Sequence, residues 1–173
     1  MDWVTYHKDQ NEYLCAMNIS LLMVGATDDP LLEELIQGYV KRLNHYIKFD
    51  LEIIPGLKKT KHLTADQQRH KEGALILNTL DASDRVILLD EKGKQMSSVG
   101  FSEFIQKQLN AGGKKLVFII GGPYGFSAEV RQRAMSSVSL SAMTFSHQMV
   151  RLFMVEQCYR AFTILKGEPY HHQ

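Results

Sequence analysis

Short continuous apolar runs alternate along this chain with longer stretches whose apolar positions recur every three or four residues. Ile19–Val24 is the first such run and ends at Gly25. A run of this kind marks a strand buried on both faces. Asp29 followed by Pro30 predicts an N-cap and a proline at the first helical position. The helix it opens reaches about Tyr46, with Leu32, Leu35, Ile36, Tyr39, Val40 and Leu43 on one face. Leu51–Ile54 predicts a second strand, stopped by Pro55-Gly56. Thr64 with Gln67 three positions on is a capping box for a helix to about Thr79. Arg85–Leu89 predicts a third strand ending at Asp90, with Glu91–Lys94 as a turn. Ser98 is placed to cap a helix carrying Phe101, Phe104, Ile105 and Leu109, closed by Gly112-Gly113. Leu116–Ile120 is the next strand, Ser127 caps a short helix to about Arg133, and Val138–Leu140 predicts a last short strand. Ser146–Lys166 forms the final helix, with Gly167 beyond it. Residues 1–16 are polar and patternless, which predicts a loose or non-native N-terminal extension ahead of a single domain over 17–173.

Strands alternating with helices predict an α/β fold: a mostly parallel sheet with helices on both faces. Ligands bind such sheets beyond the carboxyl ends of the strands. The expected pocket is therefore framed by Leu89-Asp90, by Gly121-Gly122 and by the loop Ser139–Phe145. Glycines where a strand ends let a ligand approach the main chain closely. The turn Gly121–Gly125 fits neither GxGxxG nor a P-loop, so it also reads as a purely structural turn. The hydroxyls of Ser136, Ser137, Ser139, Ser141, Thr144 and Ser146 suit either cofactor contact or loop bracing and capping. The final helix is apolar on more than one side, which predicts burial on more than one side and a subunit interface. On it, Glu156 and Arg160 are spaced to pair as an exposed couple.

Composition narrows the field. With 173 residues, 45% hydrophobic and 23% charged, the chain has the balance of a globular domain. No apolar run reaches membrane-spanning length and no secretory signal pattern is seen, so cytoplasm is expected. Cys15 and Cys158 make no metal or redox spacing, and reduced thiols and no metal are expected. The net charge of +1 lends nothing to nucleic-acid binding, so any such contact would use local patches. The basic concentration Lys58, Lys59, Lys61, His62, Arg69, His70 and Lys71 reads either as solvated surface or as a phosphate contact. His147 reads as a hydrogen-bonded packing residue. Arg151 and Arg160 read as phosphate contacts or as solvating groups. The tail through Tyr170-His171 is expected to fray, and order there would hint at function.

Three segments carry a resemblance: Phe118–Gly125, Leu140–Arg151, and Glu156–Phe162 continuing through Gly167–His171, with Leu89–Lys94 and the Gly25 strand in support. Together they resemble the RlmH family of SPOUT-class methyltransferases, over about Met17 to His172. The resemblance implies a C-terminal trefoil knot, a homodimer and S-adenosyl-L-methionine as methyl donor. It implies methylation of N3 of a pseudouridine in the large-subunit ribosomal RNA of the assembled ribosome. It places cofactor contacts at Leu89, Gly121, Leu140, Ser141, Ala142, Met143, Thr144 and Phe145. The acceptor nitrogen must lose a proton as it attacks, which calls for a proton acceptor and a cation. His171 is expected as the acceptor, Arg160 as electrostatic support and Tyr170 as an orienting group. Two other readings stand beside this: a non-catalytic ribosome-binding or assembly factor on the same fold, and a nucleotide-binding oxidoreductase. The second is disfavoured because the first strand ends in Gly25-Ala26-Thr27-Asp28 without GxGxxG.

Overall fold

Helix starts in this chain are set by side-chain caps. Asp29 accepts from the amides of Leu31 (2.8 Å) and Leu32 (3.4 Å), with Pro30 just inside the helix. Thr64 and Gln67 form both halves of the capping box, at 3.1 and 3.0 Å. Ser127 accepts from Val130 N at 3.4 Å. The computed structural model describes residues 17–171, so the expected extension over 1–16 and His172 lie outside the described residues.

The strands are β1 (Asn18–Val24), β2 (Phe49–Ile54), β3 (Arg85–Gln95), β4 (Lys115–Ile120) and β5 (Ser136–Ser139). The helices are α1 (Pro30–Leu43), α2 (Ala65–Thr79), α3 (Ser98–Asn110), α4 (Ala128–Arg133) and α5 (Met149–Leu165), with a 3-10 turn at Thr60–His62. All strand pairs are parallel, in the order β2-β1-β4-β3-β5. Alternate residues of β1 face opposite layers. Ile19, Leu21 and Met23 pack with α1, α3 and α5, while Leu22 and Val24 pack with Ile76 of α2 and Val130 of α4. The expected doubly covered parallel sheet is the one observed.

Several boundaries differ from those the sequence predicts. β2 starts at Phe49, because Phe49 is buried and pairs with Ile19, while exposed Asp50 hides the strand pattern. α1 ends at Leu43, and Asn44–Tyr46 form a turn. α3 is capped by Ser97, which accepts from Gly100 N; Ser98 instead donates to Gln157 Oε1 at 3.1 Å and ties α3 to α5. α5 starts at Met149, with Ser146 Oγ accepting from its amide at 3.1 Å. The largest difference is in β3. Glu91–Lys94 is not a terminal turn: the strand leaves register after Leu89 and resumes at Lys94, so both residues pair with Val138. β5 runs over Ser136–Ser139 and not the expected Val138–Leu140, because Ser136 and Ser137 already pair with Ile87 and Leu88. The extra pairing of β3 brings Gly93 against the backbone of Val138, where a Cβ would lie only 2.5 Å from Val138 C.

Candidate active site

Parallel strands put all their carboxyl ends on one side of the sheet, and the cavity lies there. It has a volume of about 580 Å³, within the range of small-molecule sites. Leu89, Ile120, Val138, Leu140 and Val150 supply apolar walls. Gly121–Gly125 and the Ser139–Ser146 loop supply main chain and hydroxyls. Of the expected cofactor contacts, Leu89, Gly121, Leu140, Ser141, Met143, Thr144 and Phe145 line it, and Ala142 does not.

The glycine turn fits tightly because of what stands behind it. A Cβ on Gly122 would lie 2.3 Å from Glu72 Oε2, and one on Gly121 3.1 Å from Phe126 Cε1. Glu72 is buried; Gln68 Nε2 donates to its Oε1 at 2.8 Å. The hydroxyl loop is braced from within. Ser139 Oγ donates to Ser141 O at 2.7 Å, and Met143 N donates to Ser141 Oγ at 2.9 Å. Those serines and Ser146 thus hold the loop and cap α5, as the bracing alternative expects.

The start of α5 is fastened to the end of β1. Arg151 is 1% exposed and donates to Val24 O (3.0 Å), Thr27 Oγ1 (3.1 Å) and His147 O (3.1 Å). Burial lowers its pKa from the ordinary guanidinium value, with Asp28 and Glu33 opposing that. Gln148 adds bonds to Ala26 O and Asp28. Arg151 is therefore a clamp inside the fold, neither a phosphate contact nor a solvated group. His147 is exposed at the cavity; its carbonyl, not its ring, is what Arg151 engages, which corrects the packing reading.

Arg160, Tyr170 and His171 do not line the cavity. They gather near the far end of α5. Tyr170 donates to Glu156 Oε1 at 3.1 Å and lies 3.3 Å from the Tyr39 hydroxyl. Arg160 pairs with the same Glu156 oxygen, and its guanidinium sits 4.8 Å over the Tyr170 ring. That ion pair is half-buried, not exposed as its spacing suggested. Burial, the Tyr39 hydroxyl and the Glu156 charge push the Tyr170 phenol well above its ordinary range, so it stays protonated. The bond to Glu156 raises the Arg160 pKa and keeps it cationic. The tail is ordered rather than frayed. Gly167, at φ +67, lets Glu168 N reach Thr163 O at 2.9 Å, and Tyr46 donates to Glu168 Oε2 at 2.5 Å. His171 Nδ1 is buried with no hydrogen-bond partner among the described residues.

Sequence reasoning missed Arg131 at the cavity and named Arg69 only within the basic concentration, with no tie to the cavity. Arg131 pairs with Asp90 at 2.6 Å across two elements, an ion pair that no local spacing signals. Glu72 was missed for the same reason.

A family model described as Predicted SPOUT methyltransferase matches residues 17–171. The chain belongs to the SPOUT methyltransferase family. Proteins from Christiangramia forsetii and Flavobacterium johnsoniae are 64% and 62% identical over 157 residues, covering 91% of this chain and 100% of each relative. One from Parabacteroides distasonis is 51% identical with the same coverage. All three are named Ribosomal RNA large subunit methyltransferase H. Among solved structures, the chain resembles a probable methyltransferase from Bordetella pertussis Tohama I, with a TM-score of 0.51 at 6% identity over 90% of this chain and 99% of that one. It also resembles a probable methylase family protein from Haemophilus influenzae Rd KW20, with a TM-score of 0.50 at 12% identity over 92% and 72%. At those identities the likeness is one of fold, and it matches the SPOUT architecture seen here.

Proposed function

We propose that this SPOUT family member transfers a methyl group from S-adenosyl-L-methionine to N3 of a pseudouridine in large-subunit ribosomal RNA, in the cytoplasm and as a homodimer. The observation that carries this reading is the cavity at the strand ends, walled by main chain and small residues, in a chain whose relatives are named for methylation of that RNA.

The residues fit such a donor. Leu89, Ile120, Leu140 and Val150 offer apolar surface for an adenine ring. Glu72, packed behind Gly122, excludes a Cβ there and fixes the turn that lines the cavity. Asp90 and Glu91 at the cavity suit a ribose or an amino group. When bound, the donor supplies an electrophilic methyl on a sulfonium. The chain's own part is to hold that group in the cavity, exclude water and receive the acceptor's proton.

Arg160, Tyr170 and His171 stand apart from the cavity within one subunit, so the site is incomplete without a second copy. Leu31 and Leu35 on α1 and Met149 and Phe153 on α5 are exposed apolar side chains, and the ring of Phe145 in the cavity loop lies 4.8 Å from that of Phe153, tilted by 39°. This band supports a dimer in which one subunit's C-terminal tail faces the other's cavity. His171 then accepts the N3 proton, Arg160 stabilises the anion that forms, and Tyr170, its hydroxyl held by Glu156, orients the base. His171→Ala tests the assignment: methyl transfer to ribosomes should fall by about 100-fold or more while donor affinity is kept. An unchanged rate would remove His171 from the mechanism.

A further inference from the structure

The connection from β2 to α2 has a role that methyl transfer alone does not use. Residues 55–64 carry Lys58, Lys59, Lys61 and His62 and no carboxylate, in a chain of net charge +1. All four side chains are exposed. None of the three lysines makes an ion pair among the described residues, whereas nearby Arg69 and His70 are both engaged by Asp66. The loop is nonetheless ordered: Pro55 opens it, Leu63 N bonds to Thr60 O at 2.9 Å, and the Thr64 capping box closes it.

Its backbone is strained at a charged residue. Lys59 has φ 59 and ψ 48 and is the non-glycine residue with positive φ among the described residues. Glycine fits that conformation without penalty, and a residue held there in spite of the strain points to use of its side chain. The placement says what that use is. The loop leaves the carboxyl end of β2, on the same side of the sheet as the cavity. Gly56 packs against Gly25 beside the end of β1. α2 then carries Arg69 into the cavity wall, about 6 Å along the helix axis from Ala65. None of residues 55–64 lines the cavity itself, so the loop is placed for the flanking backbone and not for the target base.

We propose that residues 55–64 form a phosphate clamp, in which Lys58, Lys59 and Lys61 hold the RNA backbone flanking the target nucleotide. The clamp rests on the reading that ribosomal RNA is the substrate. It sets affinity for that RNA and takes no part in the transfer step.

The test compares two triple variants of equal charge change. K58A/K59A/K61A empties the loop. K48A/K107A/K114A removes three exposed lysines at the opposite end of the sheet, before β2, late in α3 and before β4. Ribosome binding is measured over a potassium chloride series, together with KM, kcat and S-adenosylmethionine affinity. The clamp variant should lower the slope of log K against log salt by about 3, one for each phosphate no longer neutralised. Its KM for ribosomes should rise while kcat and donor affinity hold, and the opposite-end variant should track the wild type. K59G separates structure from binding: it should raise Tm and weaken RNA binding together. Equal slopes for all three proteins, or equal losses in both triples, would overturn the clamp while leaving the methyltransferase reading intact. Wild-type protein that neither binds nor methylates ribosomes would overturn both. K59G with raised Tm and unchanged affinity would take Lys59 out of the clamp.

Discussion

Gly93→Ala should be among the most damaging single-methyl substitutions in this fold. A Cβ there would sit 2.5 Å from Val138 C, 2.7 Å from Val138 N and 2.8 Å from Ser137 C. All three atoms are backbone, so no side chain can turn away. Ordinary contact begins near 3.4 Å, so β5 must withdraw from β3 by about 0.9 Å. It is poorly able to do so, because Val138 is buried and paired with both Leu89 and Lys94. Overpacking of this kind costs about 1–3 kcal/mol. At about 2–4 °C per kcal/mol for a chain of this size, Tm should fall by roughly 2–12 °C. The same displacement moves the loop after Ser139, which walls the cavity. If about 1.4 kcal/mol of the strain reaches that loop, donor affinity falls about tenfold. Differential scanning calorimetry and isothermal titration with S-adenosylmethionine read both effects. Wild-type Tm and affinity in Gly93→Ala would refute the re-entrant pairing of β3 with β5 and the link from it to the cavity.

Arg151→Met should lower stability by about 3 kcal/mol, from three lost bonds at about 1 kcal/mol each, seen as a Tm lower by roughly 6–12 °C; a variant as stable as wild type would contradict the clamp at the end of β1. Phe153→Glu should leave a folded monomer in sedimentation velocity, where the proposal expects a wild-type dimer, and abolish methyl transfer; an active dimer would place the interface elsewhere. Burial and Glu168 raise the Tyr46 phenol above its ordinary 10.0, so the stability tied to its protonated form is complete below pH 10 and is lost as pH rises towards the folded value. Urea unfolding of wild type should therefore weaken above pH 10 more steeply than that of Tyr46→Phe, and parallel curves would exclude this contribution.

The layers of the fold were legible because each signal was local. Caps at Asp29, Thr64 and Ser127, and apolar runs such as Leu116–Ile120, act within a few residues of their own position. What escaped was long-range. The extension of β3 through Glu91–Lys94 looks like a polar turn because its stabilising partner, Val138, is distant in sequence. Arg151 looks like a surface arginine until the carbonyl of Val24 and the hydroxyl of Thr27 are placed around it. The cavity was foreseeable from strand ends, since Leu89 and Gly121 each terminate an apolar run. Glu72 behind Gly122 was not, because a glutamate at the end of the polar run Asp66–Lys71 gives no sign that it faces inward.

The most direct measurement is transfer of a labelled methyl group from S-adenosylmethionine to ribosomes by the purified protein, followed by mass-spectrometric mapping of the modified nucleotide. The account predicts label in large-subunit RNA, on N3 of a single pseudouridine. Ribosomes that bind the protein but acquire no label, or label on a base carbon or a ribose, would contradict it.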